Sequence, residues 1–283
     1  MKGNLKALLS DTLTPEELKF LYRSYDIVGD IAIIQVPNPL KQHTKAIAKT
    51  VMQINKSVKT VLHQVTPVSG DLRLRKLEWI VGDRKTETLH KEYGCFFRID
   101  LAKCYFSPRL SFERMRTAQL VQAGEVVINM FAGVGCYSII IAKHSKAEKV
   151  YSIDINPAAV EYIEENSRLN KVEDRVVPLE GDAKAVVNEK FQNTADRVLM
   201  PLPEKAYEYL DCAVFALKPM GGCVHYYDFE HATKNENPVE KVKVKLSEKL
   251  QRLNVDFEIS SSRVVRTTGP CWYQVVVDVK VRK

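Results

Sequence analysis

From Leu110 onward, short unbroken apolar runs alternate with stretches whose apolar residues recur at helical spacing. The runs predict strands at Val126 to Met130, Val150 to Ile155, Arg175 to Leu179, Arg197 to Met200, Gly222 to Tyr227, Asp256 to Ser262 and Tyr273 to Val281. Between them, helices are predicted at Leu110 to Val121, Cys136 to His144, Pro157 to Leu169, Ala183 to Glu189, Tyr207 to Leu217 and Lys241 to Leu253. Strands that are apolar throughout are buried on both faces, so this pattern describes an α/β sheet with helices on both sides. The last two strands, joined by a short connection, should form an antiparallel pair at one edge.

The first part of the chain has a different texture. Thr14, Pro15 and the Glu16-Glu17 pair form an N-cap, first-turn and dipole pattern, predicting a helix to about Tyr25. Ile27 to Val36 reads as a strand closed by the Asn38-Pro39 turn, and Lys41 to Asn55 as a helix with Ile47, Val51 and Ile54 on one side. Short strands follow from Thr60 to Cys104. In Leu72 to Leu77 the leucines alternate with bases, as in a half-buried strand with a cationic surface. Arg73 and Arg75 there are either solvated edge charges or a phosphate-facing surface. With 283 residues, the chain is expected to form a smaller α+β N-terminal domain over 1–105 and a larger α/β domain over 106–283.

Chemistry concentrates at strand ends of the larger domain. The run FAGVGC places Gly133 and Gly135 after the first strand, and Asp154 ends the second. A glycine turn lets a ligand lie against the backbone, and an acid at the next strand tip can accept both hydroxyls of a ribose. The turn has no third glycine for a pyrophosphate, so one adenosine-type ligand, S-adenosylmethionine, fits better than NAD. Asp154-Ile155-Asn156 and Gly181-Asp182-Ala183 would line one crevice, Asp154 on the ribose and Asp182 with Ala183 at the adenine edge. The competing reading is that both acids merely cap the following helices.

Composition narrows the setting. The net charge of +7 favours an acidic partner or reflects ordinary surface lysine. The 6 cysteines are scattered without CxxC or a histidine pair at ligand spacing, so no metal is expected and the thiols should be reduced. The opening MKGNLKALLSDTLTPEELKF lacks a long apolar core, so neither signal peptide nor membrane anchor is expected, and the protein should be soluble.

Six segments then fall together in order: YFSPRLSFERMR, NMFAGVGCYSIIIAK, VYSIDINPAAVEYIEENSRLNKVEDRV, EGDA, DRVLMPLPEKAYEYLDCA and GGCVHYYDFE. From about Arg73 to Lys283 the chain resembles the archaeal and eukaryotic tRNA (guanine-37 N1) methyltransferases, with the wybutosine-pathway aminocarboxypropyl transferases as near relatives. The resemblance implies a Rossmann-like class I methyltransferase sheet and S-adenosylmethionine held by Tyr105, Arg109, Phe131, Gly133, Asp154, Ile155, Asn156, Asp182, Ala183, Leu202 and Pro203. It also implies that Glu113 of S-F-E-R is the general base, and that Arg73 or Arg75 contacts the target guanine. The family's N-L-P tripeptide falls on Pro201-Leu202-Pro203, where Pro201 removes the amide. On position alone, Glu113 reads as an exposed helix acid paired with Arg116 or Lys143.

The implied chemistry is coherent by itself. Guanine N1 is a poor nucleophile while it holds its proton, so transfer benefits from a carboxylate to remove that proton and a cation near O6. The expected partner is the tRNA anticodon loop, whose unstacked bases and phosphates suit aromatic and basic side chains. Arg73, Arg75, Lys76, Arg84, Lys85 and Lys91 are candidates, with Trp79 and Tyr93 as possible stacking partners, although Trp79 reads first as core. Arg263, Arg266 and Trp272 flank the T-T-G-P turn as RNA contacts or packing. Many members carry a further domain that grips the outer corner of tRNA; here the roughly 100 residues before the catalytic part leave room for one module. A cytoplasmic monomer is expected, as in the family. The alternatives are aminocarboxypropyl transfer, argued against by M-P-L-P, a non-catalytic RNA-binding protein, argued against by intact Glu113, Asp154 and Asp182, and a protein or small-molecule methyltransferase.

Overall fold

A computed structural model describes residues 5–283; Met1 to Asn4, the start of the segment expected to carry no signal peptide, lie outside the described residues. The chain divides into two compact units, Met1–Pro108 and Arg109–Lys283.

The first unit contains short helices α1 (Leu5–Leu8) and α2 (Glu17–Phe20), strands β1 (Asp26–Val28) and β2 (Ile31–Ile34), helix α3 (Thr44–Ile54), and strands β3 (Thr60–Gln64), β4 (Leu77–Gly82), β5 (Glu87–Glu92) and β6 (Cys95–Asp100). Strands β1 to β4 form one sheet in sequence order, in which β2 and β3 are parallel and α3 makes the crossover. The apolar stripe of α3, Ile47, Ala48 and Val51, is buried with Leu5, Leu9, Leu13, Ala32, Ile34 and Val61. Strands β5 and β6 form a separate hairpin, turned at Tyr93 (φ 47°) and Gly94 (φ 78°).

Four expectations are corrected here. The capping box at Thr14 does form, with Glu17 N–H donating to Thr14 Oγ1 at 3.2 Å and Thr14 N–H donating to Glu17 Oε2 at 2.9 Å. The helix nevertheless stops at Phe20, because Leu21 turns extended and is buried in the core of the unit. The strand expected over Ile27 to Val36 is an antiparallel hairpin, β1 with β2, because Gly29 adopts φ 55° in its middle. Leu72 to Lys76 are likewise not strand. A reverse turn closes there through mutual hydrogen bonds of Ser69 and Leu74, Arg73 sits at φ 53°, and β4 begins at Leu77. Trp79 is 44% exposed rather than core, its indole N–H donating to the Gly82 and Asp83 carbonyls.

The second unit holds helix α4 (Ser111–Leu120), then β7 (Val126–Asn129), α5 (Cys136–His144), β8 (Lys149–Asp154), α6 (Pro157–Asn170), β9 (Val176–Glu180), α7 (Ala183–Lys190), β10 (Arg197–Met200), α8 (Pro203–Ala216), β11 (Gly222–His231), α9 (Pro238–Arg252), β12 (Asp256–Gly269) and β13 (Trp272–Arg282). Its sheet runs β12-β13-β11-β10-β7-β8-β9. Strands β7 to β11 are parallel, and β13 inserts antiparallel between β11 and β12. This is the Rossmann-like sheet expected, with the antiparallel pair at its edge and strands β11 to β13 longer than predicted.

Strand alternation sorts the two faces. Ile128, Ile153, Val198, Tyr226, Val277 and Val279 pack in one core with α7, α8 and α9. The intervening residues point the other way. There Tyr227 and Asp278 meet α4, His225 meets Asp278, and Tyr137 of α5 reaches Tyr227.

Candidate functional site

The strand order reverses between β7 and β10, and in such sheets the crevice outside the carboxyl ends of the strands receives the ligand. The residues predicted in this unit gather at that end. After β7, Asn129 is fully buried and its Oδ1 accepts the Phe131 N–H at 3.4 Å, shaping the turn into Gly133 and Gly135. Gly135 begins α5 at φ 86°; a Cβ there would meet Ile139 Cδ1 at 3.1 Å and the Ile163 side chain at 3.4 Å. At the tip of β8, Asp154 Oδ2 accepts the Gly133 N–H at 2.6 Å and Oδ1 accepts the Asn156 N–H at 2.9 Å. Burial raises the Asp154 pKa above the ordinary carboxylate value, against the pull of the Asn156, Gly133 and Ile155 backbone.

The helix-cap reading divides between the acids. Asn156, not Asp154, caps α6, its Oδ1 accepting the Ala158 N–H at 3.1 Å. Asp182 does cap α7, accepting from Lys184 N–H at 3.0 Å and Ala185 N–H at 3.1 Å through Oδ1. Its Oδ2 takes the Tyr209 hydroxyl, and the Tyr209 ring stands edge-on to Phe131 at 5.3 Å. Ile155 is 48% exposed beside Asp154, an apolar face at a polar strand end. Ala183 is buried. Pro201 and Leu202 connect β10 to α8, which starts at Pro203.

This donor set fits S-adenosylmethionine. An ionised carboxylate has about four acceptor positions, so Asp154 keeps capacity for ribose hydroxyls beyond the two N–H groups it already takes. Gly133, at φ 55°, brings backbone without a side chain beside it, and Ile155 offers a flat aromatic base an apolar surface. Phe131 and the Asp182 and Tyr209 pair stand at the neighbouring strand ends.

Glu113 is not the exposed acid that its sequence position suggested. On α4 it is 1% exposed, and its partners come from three elements. Arg116 donates to Oε1 at 2.7 Å and to Oε2 at 3.0 Å, the Tyr227 hydroxyl donates to Oε1 at 2.8 Å, and Arg263 Nη1 donates to Oε2 at 3.1 Å. Lys143, the other partner considered for it, instead reaches the Asn170 carbonyl. Tyr227 lies one residue beyond the Met200–Tyr226 rung, level with Pro201, so this carboxylate belongs to the carboxyl end of the sheet.

Arg116 also donates to Asp278, Nη1 to Oδ2 at 2.5 Å. Burial opposes its charge, but Glu113 and Asp278 outweigh that and raise its pKa. Asp278 in turn faces His225 Nδ1 at 2.5 Å, and Arg197 Nη1 meets His225 Nε2 at 2.7 Å. A guanidinium can only donate, so Nε2 is the acceptor and the single ring proton is on Nδ1, directed at Asp278. Burial lowers the His225 pKa, consistent with this neutral form. Arg197 continues to Glu125 at 2.7 Å. His225, Tyr227 and Asp278 were not candidates from the sequence; they meet through the direct His225–Asp278 rung of β11 and β13.

In the first unit, the Arg73 guanidinium lies 4.9 Å from the centroid of the Tyr105 ring, and Arg75 Nη1 donates to Gln64 Oε1 at 3.1 Å. Two residues expected at different ligands, Arg73 at the target guanine and Tyr105 at the cofactor, are thus stacked together. Arg109 is exposed in the second unit. Among the described residues, no group of three or more His, Cys, Asp or Glu is placed to hold a metal ion, and no helix is long and apolar enough to cross a membrane.

The TRM5/TYW2 methyltransferase domain model matches residues 88–255, and a TYW2 N-terminal domain model matches residues 5–86. The chain belongs to the TRM5/TYW2 methyltransferase family. Within this family it is 41% identical over 268 residues to the tRNA (guanine(37)-N(1))-methyltransferase Trm5b of Pyrococcus abyssi, covering 94% of this chain and 78% of that one. The crystal structure of that protein superposes with TM-score 0.87 at 39% identity, over 100% of this chain and 82% of the other. A complex of aTrm5 with tRNALeu gives TM-score 0.84 at 33% identity, over 99% and 78% of the two chains. The TRM5/TYW2 likeness extends to TYW2 of Pyrococcus horikoshii, solved with MeSAdo, at TM-score 0.78 and 30% identity over 100% of both chains.

Proposed function

We propose that this protein transfers a methyl group from S-adenosylmethionine to N1 of guanosine 37 in the tRNA anticodon loop. The observation that supports it most is the burial of Glu113: a carboxylate 1% exposed, anchored from three sides at the carboxyl end of a sheet whose strand tips fit the cofactor. A surface acid would be mobile; this one has a defined direction, as a base must.

When bound, S-adenosylmethionine supplies a methyl group activated by its sulfonium. Asp154 holds the ribose, Ile155 and Phe131 border the adenine, and the backbone at Gly133, Asp182 and Ala183 completes the crevice. Glu113 accepts the N1 proton as N1 forms its new bond to carbon, and an arginine of Arg73 and Arg75 stabilises the charge developing on O6. Of the two, Arg73 is favoured, because its guanidinium is held over Tyr105 at an exposed turn. The first unit contacts the RNA and the second carries the chemistry, in a cytoplasmic monomer.

Incubation with labelled cofactor and unmodified tRNA, followed by nucleoside analysis, tests this directly. The expected product is 1-methylguanosine. An aminocarboxypropyl nucleoside would assign the protein to the other activity named among its relatives, and no transfer to any tRNA would refute both. Glu113→Gln should retain cofactor binding but slow transfer at least 100-fold, the upper part of what general bases contribute being about 10⁴-fold.

A further inference from the structure

Among the described residues, Arg263 is the one partner of Glu113 outside its helix that carries a charge. It is also the least enclosed of the three, with 34% of its side chain exposed against 15% for Arg116, while Tyr227 is fully buried. Its guanidinium lies 5.0 Å from the centroid of the Phe112 ring, and that ring is 63% exposed. Arg263 therefore makes both contacts from one position, an ion pair on one side and an exposed aromatic ring on the other.

Arg263 is the second guanidinium in direct contact with Glu113. Arg116 is shared between two carboxylates, Glu113 and Asp278, and His225 is neutral. Tyr227 and Tyr137 donate or pack but carry no charge, both having pKa values raised by burial, and Arg114 lies over the Tyr137 ring at 6.0 Å. Oε1 is taken by Arg116 and Tyr227, whereas Oε2 accepts the Arg116 Nε–H at 3.0 Å and one N–H from the more exposed Arg263 at 3.1 Å.

We propose that Arg263 is a positioning residue for the base: its guanidinium, stacked on Phe112, holds Oε2 of Glu113 in place until an N–H of the target guanine replaces that contact. This rests on Glu113 being the base. Arg263 itself neither accepts the proton nor touches the methyl group. Exchange of one N–H donor for another leaves the acceptor count of the carboxylate unchanged, so the base meets its substrate without passing through an unpaired state.

The test is the pH profile of single-turnover transfer at limiting tRNA, which reports groups of the free protein, for Arg263→Met and Arg263→Lys, each confirmed as folded by thermal melting. Methionine keeps an apolar contact with Phe112 but removes the charge; lysine restores the charge. A neighbouring opposite charge moves a carboxylate by about 1 to 3 units, and partial exposure selects the low end. In Arg263→Met the acid limb should move up by about 1 unit, giving roughly tenfold slower transfer below it and convergence with the unaltered protein above it. Arg263→Lys should return the limb most of the way. A limb unmoved in Arg263→Met overturns the inference, as does a loss seen only in the KM for tRNA, which would make Arg263 an RNA contact. Glu113→Gln run in parallel separates the two failures. If it transfers at full rate, the base assignment itself is wrong; if it is inactive while Arg263→Met keeps an unmoved limb, only the role of Arg263 is.

Discussion

Asp278→Asn puts the buried charge chain to a quantitative test. Asp278 is 5% exposed and accepts from Arg116 through both oxygens, at 2.5 and 3.2 Å, and faces His225 Nδ1 at 2.5 Å. Asparagine has nearly the same shape, so no cavity forms. Its single carbonyl oxygen can take the His225 proton or an Arg116 N–H, and its NH2 then points a donor at a donor. Breaking one side of a buried pair costs about 3–5 kcal/mol. Because Arg116 keeps Glu113 and is not left alone, the low end applies, about 3 kcal/mol. For a unit of this size that corresponds to a fall in Tm of about 6–12 °C. The sign with pH follows from the carboxyl. Burial would raise its pKa, but His225 and Arg116 hold it well below the ordinary range, so its stabilisation is present above the unfolded-state value near 3.8 and is lost as pH falls below that. Urea unfolding of both proteins at pH 7, 5 and 3 should show a gap constant over the first two and smaller at the third. Equal stability at pH 7 would refute the charge chain, and a gap that persists unchanged at pH 3 would refute its attribution to the Asp278 carboxylate.

The remaining predictions concern the crevice. Asp154→Ala should abolish measurable S-adenosylmethionine binding by calorimetry while leaving the fold intact; undiminished affinity would remove Asp154 from the site. In the unaltered protein, cofactor affinity should weaken on acidification at a higher pH than an ordinary aspartate would produce, because burial raises the Asp154 pKa and the protonated acid loses acceptor capacity; a binding isotherm flat down to pH 4 would count against this. Gly135→Ala should destabilise by about 1–3 kcal/mol, since alanine is strained at φ 86° and its Cβ crowds Ile139 and Ile163. A melting temperature unchanged in that variant would show that the turn relaxes.

Much of the second unit was legible because parallel strands buried on both faces leave continuous apolar runs, and those runs end at the carboxyl end of the sheet. Gly133, Asp154, Ile155 and Asp182 could be placed at strand tips from one-dimensional pattern alone. The first unit resisted the same reading. Gly29 reverses the chain and Leu21 ends a helix where the sequence pattern runs on, and the alternation of Leu72 to Leu77 mimics a strand although Arg73 occupies a left-handed turn. Around Glu113, the contact with Arg116 was readable at helical spacing, but its character was not. Whether that pair lies in water or under a sheet depends on β11, β12 and β13, more than 100 residues away in sequence, and no local signal encodes which of their residues stand opposite one another.

The alternation along β11 and β13 has a bearing on assembly. Tyr226 and Val277 form one rung and His225 and Asp278 the next, the first turned to an apolar face and the second to charged partners. A one-residue slip of β13 would drive Asp278 into hydrocarbon and strand Arg116 and His225 among valines, so misaligned pairings are penalised on both faces at once. The ions that orient the carboxylate therefore also act as a key for strand alignment, and a chain that has threaded β13 wrongly should fail to become stable before it could ever become a poor catalyst.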